Sequence, residues 1–476
     1  MNNIRAKILW ADDEIDMLRS HILFLQEKGY QVTPVTNGAD AIDAVKTDHF
    51  DIVLLDEMMP GLDGLTTLSE IKEHSPGIPV IMVTKNIEES VMEEAIGSKI
   101  SDYLTKPVNP SQILLACKKI LDKKQISGEK ISRNYVNEFN QISQMLMNQP
   151  DHEDWIELHR RLSTWEVEFD DHPDLGLEQT LTNQKHEANV EFGKYIEQNY
   201  PQWIHADAGS DTPALSTDII GNYVLPNIES GEKVALIIID CMRLDQLLTI
   251  QPFLYSDFRV NKDYYFSILP TATPYSRNAI FSGLYPEDIQ EMYPELWSQD
   301  VDEDTSLNIH EDELLRKQLD RAHLSDVKTK YLKVLDMDEG KAVERDIKTL
   351  SNISLISIVV NFVDILAHRR SDTEFLREIV PDEAGYRTIV RAWFEHSWLY
   401  QVMKQLSSTG YTIILTTDHG SIRVQNAAIV KADKRASTNL RYKFGKNLNT
   451  DVKQTVIIRN PEEYRLPRQS INTNYI

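Results

Sequence analysis

The sequence contains little cysteine and no long apolar run. Only two of its 476 residues are cysteines, which excludes a disulfide framework and favours a reducing compartment. No run reaches the roughly 18 apolar residues of a membrane helix, and the first residues lack the apolar core of a signal peptide. We therefore expect a soluble, cytoplasmic protein without membrane insertion.

Positive charge is also in short supply, which restricts the kinds of partner. The chain has 50 lysines and arginines against 74 acids, and its formal net charge is −24. A nucleic-acid backbone repels so acidic a protein unless positive charge is locally concentrated. Direct binding to double-stranded DNA is therefore disfavoured, and no helix-turn-helix pattern stands out.

The first 123 residues alternate between short apolar segments and segments with helical spacing. The predicted strands are Lys7–Ala11, Tyr30–Val35, Ile52–Leu55, Val80–Val83 and Tyr103–Leu104. The predicted helices are Asp16–Lys28, Ala39–Lys46, Leu65–Glu73, Ser90–Ile96 and Ser111–Leu121. Regular alternation of this kind is typical of a doubly wound, parallel α/β sheet.

Polar residues suited to phosphoryl chemistry follow the strands of this segment. They are Asp12, Asp13, Asp56, Thr84 and Lys106. The carboxyl ends of parallel strands share one edge of the sheet, where ligands bind. Clustered carboxylates favour Mg²⁺, a carboxylate beside the ion can attack a phosphoryl donor, and a lysine and a hydroxyl would hold the phosphoryl oxygens. Any one of these residues alone is better explained as a helix cap, so the ordered set carries the prediction.

The set resembles the receiver domain of two-component response regulators. The resemblance implies that a sensor histidine kinase phosphorylates Asp56, that Thr84 and Tyr103 act as the switch with Lys106, and that phosphorylation promotes homodimer formation. The implied magnesium ligands are Asp12, Asp13, Asp56 and the backbone carbonyl of Met58. A degenerate receiver is the alternative, but every expected residue is present.

Residues 124–210 are predicted to form a small α-helical bundle. Apolar residues recur every three or four positions in three segments, with breaks near Asn148–Pro150 and His172–Pro173. We interpret this part as a three-helix linker between two α/β domains, which would cover residues 1–123 and 211–476.

The C-terminal part carries a second series of predicted strands followed by polar residues. The strands are Val234–Ile239, Tyr264–Leu269, Ser354–Val360 and Tyr411–Leu415. The residues that follow them are Asp240, Thr271, Asp364 with His368, and Asp418 with His419. Thr273 before Pro274 is a favourable N-cap, which leaves Thr271 free for chemistry. Mixed Asp and His ligands suit Zn²⁺ or Mn²⁺, and a hydroxyl between two such ions is a nucleophile for phosphoryl transfer.

The sequence of this part resembles that of the PglZ branch of the alkaline phosphatase superfamily. The resemblance lies in the segments DCMRLDQ, PTATPYSRNAIFSGLYP, NFVDILAH and TTDHG. A receiver, then helices, then a PglZ domain is similar to the layout of PorX-type response regulators. The resemblance implies a second α/β domain that binds up to two Zn²⁺, with Thr271 as nucleophile and metal ligand. The implied protein ligands are Asp240, Asp418 and His419 for one ion, and Asp364 and His368 with a further histidine for the other.

The further histidine is where this sequence departs from the family. The family supplies it close to the C-terminus, whereas no histidine follows His419 here. We expect either that the chain is truncated or that the second ion is weakly held, because catalytic zinc usually has three protein ligands.

Basic residues near these positions are candidate substrate contacts. The segment 431–446 contains Lys434, Arg435, Arg441 and Lys443. Arginine forks and lysines suit phosphate groups, although a solvated loop explains the segment equally well. Arg243, close behind Asp240, is a further candidate phosphate contact.

Two functions remain open. In the first, phosphorylation of Asp56 activates a zinc-dependent phosphodiesterase, with a phosphomonoesterase as the near alternative. The family resemblance implies cyclic or linear oligonucleotides as its substrates. In the second, the C-terminal domain is a non-catalytic docking surface for a sigma factor or a secretion-machine protein. The PorX-type resemblance implies a link to the control of type IX secretion.

Overall fold

The computed structural model of the chain describes residues 6–85, 100–207, 209–297, 308–424, 427–433, 436–437, 439–452, 455–468 and 470–476. Two compact units, Met1–Val136 and Asn137–Ile476, make up the chain. Within the described residues, no helix is both long enough and apolar enough to cross a bilayer.

The described strands of the first unit form a five-stranded parallel sheet in the order β2-β1-β3-β4-β5. They are β1 (Ala6–Ala11), β2 (Tyr30–Val35), β3 (Ile52–Asp56), β4 (Val80–Thr84) and β5 (Asp102–Thr105). The connecting helices are α1 (Arg19–Glu27), α2 (Gly38–Thr47) and α3 (Gly64–His74). The doubly wound sheet is confirmed, and the predicted helix Ser90–Ile96 lies outside the described residues.

The central strands of this sheet are buried on both faces, as their continuous apolar runs predict. Every side chain of β3 and β4 is buried because helices cover both faces of a doubly wound sheet. Helix α3 begins at Gly64, where a Cβ atom would overlap the carbonyl oxygen of Asp56. Glycine therefore permits α3 to begin directly against the end of β3.

One long helix, α4 (Pro110–Met147), follows β5 and contains the boundary between the two units. The sequence predicts a helix that ends at Leu121 and a linker bundle that begins at residue 124, whereas one continuous helix spans both. The intervening residues contain no proline. Their one glycine, Gly128, costs a helix only about 1 kcal/mol relative to alanine, so the helix continues.

Two further helices, α5 (His152–Asp170) and α6 (Glu178–Trp203), pack with the end of α4 in the second unit. The Gln184 amide donates a hydrogen bond of 2.9 Å to the carbonyl of Phe139. Trp155 packs edge-to-face on Phe192 at 5.1 Å, and Phe192 stacks on Phe266 at 6.0 Å. Helix α6 therefore contacts both its helical neighbours and the C-terminal part of the chain.

A second parallel sheet, in the order β7-β8-β6-β9, forms the centre of the second unit in its described residues. Its strands are β6 (Lys233–Ile239), β7 (Thr329–Val334), β8 (Leu355–Val360) and β9 (Tyr411–Thr416). The surrounding helices are α7 (Leu225–Glu229), α8 (Leu244–Asp257), α9 (Thr273–Ser282), α10 (Pro286–Met292), α11 (Glu311–Arg321), α12 (Met337–Asp346), α13 (Phe362–Asp372), α14 (Glu374–Ile379), α15 (Glu383–His396) and α16 (Trp398–Ser408). Strands β10 (Phe444–Lys446) and β11 (Thr473–Tyr475) form an antiparallel pair. The chain is thus an α/β protein in both units.

The predicted strand Tyr264–Leu269 is wrong. This segment makes a single bridge, between Phe266 and Leu215. The backbone N–H of Ile268 donates to the Ser216 hydroxyl at 3.1 Å, and the next N–H donates to the Tyr200 hydroxyl at 3.1 Å. Because side chains accept these hydrogen bonds, the segment does not extend the sheet.

Candidate functional sites

Three carboxylates meet at the carboxyl edge of the first sheet. Asp12 and Asp13 follow β1, and Asp56 ends β3. One oxygen of each lies within 4.8 Å of the others, and Asp12 and Asp56 are buried while Asp13 is exposed. The Lys106 ammonium group lies 2.9 Å from Asp12 Oδ2 and 2.9 Å from Asp56 Oδ2. The predicted residues therefore come together, and an all-carboxylate donor set fits Mg²⁺.

The charges at this edge depend on one another. Burial raises the pKa of Asp56, and the hydrogen bond from Lys106 offsets this rise only in part. Burial acts to lower the pKa of Lys106, but its hydrogen bonds with Asp12 and Asp56 outweigh burial and raise the pKa overall. Lys106 therefore remains a cation beside the predicted phosphorylation site.

Of the predicted switch residues, Thr84 is hydrogen-bonded to a neighbouring acid and Tyr103 is exposed. The Thr84 hydroxyl, at the end of β4, donates a hydrogen bond to the carboxylate of Glu57. Tyr103 is 42% exposed on β5, and the Met58 side chain is also exposed. Sequence reasoning missed Glu57, although its place directly after Asp56 was a usable signal.

A second cluster lies at the carboxyl edge of the second sheet. Asp240 follows β6, while Asp418 and His419 follow β9, the neighbouring strand. One ligand atom from each lies within 4.8 Å of the others, and all three side chains are buried. His419 Nε2 is 3.6 Å from Asp240 Oδ1 and 3.9 Å from Asp418 Oδ2. In the described residues, this cluster and the carboxylates of the first sheet are the groups that could hold a metal.

The electrostatics of the cluster favour a cation. Burial and the neighbouring charge of Asp418 raise the pKa of Asp240 well above its usual range. Burial also acts to raise the pKa of Asp418, but the charges of His419 and Arg277 outweigh it and lower that pKa. Asp418 Oδ2 is buried and accepts no hydrogen bond from the described residues. Two carboxylates, one of which carries the orphaned oxygen, and a histidine nitrogen together fit a divalent metal such as Zn²⁺.

The Thr273 hydroxyl lies beside this cluster. The Thr273 hydroxyl is 2.9 Å from His419 Nε2 and 3.5 Å from Asp240 Oδ1. The predicted N-cap at Thr273 is wrong by one residue, because α9 begins at Thr273 and Ala272 is the N-cap. Released from capping, the Thr273 hydroxyl points to the strand ends, whereas the Thr271 hydroxyl accepts from Arg441 Nη1 at 3.3 Å.

Asp364 and His368 lie on α13, one turn apart. His368 Nε2 is 3.4 Å from Asp364 Oδ1, and the His368 side chain is 77% exposed. The charge of Asp364 contributes to the raised pKa of Asp240, so this pair belongs to the same edge of the sheet. Among the described residues, no third ligand atom lies within 4.8 Å of both members of this pair.

The two basic residues predicted from the segment 431–446 have different surroundings. Arg441 contacts the edge of the site: its Nη1 donates to the Thr271 carbonyl, and its Nη2 donates to the Gly420 carbonyl at 3.0 Å. Lys443 makes backbone hydrogen bonds of 2.8 Å with Ile476. The other two basic residues of the prediction, Lys434 and Arg435, lie outside the described residues.

Arg243, the further candidate phosphate contact, is paired with acids of its own unit. Its guanidinium group pairs with both oxygens of Asp245, at 2.9 and 2.6 Å, and with the carboxylate of Glu383. The face of the Tyr386 ring lies 5.3 Å away. The charge of Arg243 is already balanced inside the protein, because Asp245 is only two residues away and α15 brings Glu383 against it.

A buried arginine contacts the cluster from α9, and sequence reasoning missed it. Arg277 Nη1 lies 2.5 Å from Asp240 Oδ2 and 3.7 Å from Asp418 Oδ2. Its Nε donates to Glu311 at 2.5 Å, and both side chains are 1% exposed. The usable signal was the spacing, since Arg277 follows Thr273 by one helical turn.

Comparisons with known proteins match each part of the chain. Residues 8–118 match the response regulator receiver domain, residues 125–204 match the PorX response regulator linker domain, and residues 220–465 match the BREX system PglZ alkaline phosphatase-like domain.

Curated relatives match 24% to 30% of the chain. The transcriptional regulatory protein ResD of Bacillus subtilis is 34% identical over 116 residues, which cover 24% of this chain and 48% of the relative. ZraR of Klebsiella oxytoca is 31% identical over 142 residues, 30% of this chain and 32% of the relative. The match therefore spans about half the length of these relatives or less. A CheY-like receiver structure from Methanospirillum hungatei matches with 26% identity and a TM-score of 0.25, covering 25% of this chain and 97% of that one.

Proposed function

Because the chain belongs to the PglZ alkaline phosphatase-like family and joins that domain to a PorX-type receiver and linker, we propose that it is a response regulator with a hydrolytic output. A sensor histidine kinase phosphorylates Asp56 with Mg²⁺ bound at the carboxylates of the first sheet. Phosphorylation promotes homodimer formation and activates zinc-dependent hydrolysis of a phosphodiester at the second sheet.

One observation carries the hydrolytic part of this proposal. Asp240, Asp418 and His419 bring their ligand atoms within 4.8 Å of one another in a buried site, and the Thr273 hydroxyl lies beside them. Hydroxyl, carboxylates and imidazole at one strand edge are the parts that metal-assisted phosphoryl transfer needs.

The imidazole of His419 is placed to accept the proton of the Thr273 hydroxyl. His419 Nδ1 lies 3.0 Å from the Gly420 carbonyl, which places the ring proton on Nδ1 and leaves Nε2 as an acceptor or metal ligand. A zinc ion held by these residues would lower the pKa of a bound hydroxyl and stabilise charge on phosphoryl oxygens. Arg441, at the edge of the site, is suited to a phosphate oxygen of the substrate.

Two threonines compete for the role of nucleophile, and paired variants separate them. The family resemblance indicates Thr271, whereas the geometry favours Thr273. We expect Thr273→Val to reduce turnover of a chromogenic phosphodiester by about a thousandfold or more. Thr271→Val should reduce it by no more than about tenfold, the effect of one lost hydrogen bond. The reverse result would restore Thr271 as the nucleophile.

The decisive experiment measures bound zinc and phosphodiester turnover of the full chain with and without acetyl phosphate. We expect turnover to require zinc and to rise with acetyl phosphate in the wild type, while Asp56→Asn remains at the basal rate. Absence of zinc-dependent turnover, with zinc bound, would overturn the hydrolytic proposal. Cyclic and linear oligonucleotides are the substrates to test next, with phosphomonoesters as the comparison.

A second candidate function is phosphorylation-dependent docking of a sigma factor or a secretion-machine protein, within the control of type IX secretion. The observation that favours it is the incomplete second metal pair, Asp364 and His368, in the described residues. Docking predicts that the Thr273→Val variant still binds its partner and still signals. Loss of signalling in that variant would favour hydrolysis.

A further inference from the structure

We propose that Arg277 is a positioning residue for the metal ligand Asp240, an inference that rests on the proposed metal-dependent function. Arg277 holds Asp240 Oδ2, so that Oδ1 alone faces the metal position beside Thr273 and His419. Asp240 would therefore bind zinc through one oxygen, in an orientation that the protein fixes before the metal arrives.

The two oxygens of Asp240 have different partners. Oδ2 accepts from Arg277 Nη1 at 2.5 Å and from Asn361 Nδ2 at 3.3 Å. Oδ1 lies 3.5 Å from the Thr273 hydroxyl and 3.6 Å from His419 Nε2. Two donors on one oxygen leave only the other oxygen directed at the cluster.

The same helix face supplies both neighbours of this carboxylate. Thr273 and Arg277 lie four residues apart on α9, and side chains at this spacing share one face. The first turn of the helix contacts Oδ1 and the second contacts Oδ2. Helix α9 therefore sets the position of the hydroxyl and the orientation of the ligand together.

Arg277 is itself held by a second, buried acid. Glu311 accepts from Arg277 Nε at 2.5 Å and from Asn308 Nδ2 at 2.9 Å, and it also accepts from the Tyr331 hydroxyl. These contacts fix the guanidinium plane, which a lysine could not reproduce because its ammonium group is a point charge on a flexible stem. A lysine at this position would still balance the charge of Asp240. Substitution by lysine therefore separates charge balance from the orientation of the carboxylate.

The test is the dissociation constant of zinc for the full chain, measured by competition with a chromophoric chelator. We expect Arg277→Lys to weaken zinc binding by tenfold or more, in the range found for residues that orient metal ligands. The visible spectrum of the Co²⁺-substituted protein should also change, because a freed Asp240 can bind through both oxygens. Arg465→Lys is the control: Arg465 pairs with Asp288 at 2.7 Å and contacts none of the cluster, so zinc binding should be unchanged.

The double variant Arg277→Met with Glu311→Gln removes the cation together with its acid partner. Glu311 is therefore not left as an unpaired buried carboxylate. Positioning predicts weaker zinc binding and an altered Co²⁺ spectrum here too. If both Arg277 variants fold, as judged by circular dichroism, and bind zinc with the wild-type constant, the inference is wrong. A wild type that binds zinc at this cluster but hydrolyses nothing would defeat the proposed function and leave the inference intact. A wild type that binds no zinc would defeat both.

Discussion

At the scale of single residues, Asp245 shows how the interior keeps a carboxylate ionised. Burial acts to raise its pKa, but ion pairs with Arg243 and Arg387 outweigh burial and lower the pKa to about 2 from the ordinary value of 3.8. A carboxylate whose pKa is lower in the folded state stabilises that state above the unfolded pKa, and it loses this contribution as the pH falls to the folded pKa.

The expected consequence is a specific loss of stability in acid. Between about pH 4 and pH 2, Asp245 should cost the wild type about 2 kcal/mol of its free energy of unfolding, since the two pKa values differ by nearly two. Urea unfolding at a series of pH values measures this loss. In Asp245→Asn, which cannot titrate, the decline over the same range should be smaller by about that amount, and an identical decline would contradict the assignment.

Glu57 is the residue whose role at the switch can be tested most directly. Its carboxylate accepts a hydrogen bond from the Thr84 hydroxyl. In the phosphorylated receiver, that hydroxyl would be needed at the phosphoryl group on Asp56. We expect Glu57→Ala to lower the half-saturating concentration of beryllofluoride by about fivefold, the equivalent of one net hydrogen bond. Calorimetric titration of the Mg²⁺-loaded protein measures this concentration.

The matched control is Glu57→Gln, which loses the same charge but keeps an oxygen that can accept from Thr84. Its beryllofluoride titration should lie close to that of the wild type. Equal shifts in the alanine and glutamine variants would assign the effect to charge, and the hydrogen bond would then have no role in the switch.

At the scale of elements, ion pairs attach the linker helix α5 to the core of the second unit. Arg387 on α15 binds Asp170 on α5 through two hydrogen bonds of 2.5 and 2.7 Å, and it binds Asp245 on α8 at 2.9 Å. Asp245 in turn pairs with Arg243, three residues after Asp240. A continuous series of charged contacts thus connects α5 to the segment that carries a candidate metal ligand.

Removal of the Arg387 side chain should therefore lower the stability of the folded protein strongly. In Arg387→Ala, Asp170 and Asp245 lose a buried cation, and we expect a loss of about 3–5 kcal/mol in the free energy of unfolding. Urea unfolding of the full chain measures it, and limited proteolysis should report earlier cleavage in α5. Arg316→Ala removes an exposed pair with Asp312 and should change stability by less than about 0.5 kcal/mol. Similar values for the two variants would show that α5 is held by apolar contacts alone.

At the scale of the whole molecule, helix α4 is the continuous covalent connection between the two units. A helix transmits a change at one end only if it remains unbroken, and a proline in its interior costs about 3 kcal/mol or more. Gly128 is the natural position to test, because the helix contains no side chain there to lose.

We expect Gly128→Pro to abolish the rise in phosphodiester turnover with acetyl phosphate while leaving phosphorylation of Asp56 and basal zinc-dependent turnover intact. Gly128→Ala, which favours the helix by about 1 kcal/mol, should retain or increase the response. Phosphate-affinity electrophoresis and turnover of the same samples measure the two activities. A normal response in the proline variant would mean that α4 does not carry the signal.

Local sequence patterns are enough to predict which residues follow the buried strands β1, β3 and β6. Apolar runs such as Ile52–Leu55 and Val234–Ile239 predict buried parallel strands, and the residues after them must then lie at the carboxyl edge of a sheet. Asp12, Asp56 and Asp240 could be found in this way because a continuous apolar run precedes each of them.

Which side chains meet at those edges depends on how distant parts of the chain pack. Helix α9 begins at Thr273, one residue earlier than the sequence predicts, and its first hydroxyl lies beside the cluster. Arg243 pairs with Glu383, 140 residues away, and the segment after Asp263 gives its backbone hydrogen bonds to Ser216 and Tyr200 in place of a neighbouring strand. Contacts of this kind depend on the packing of elements that are far apart in the sequence. Local periodicity therefore cannot predict them.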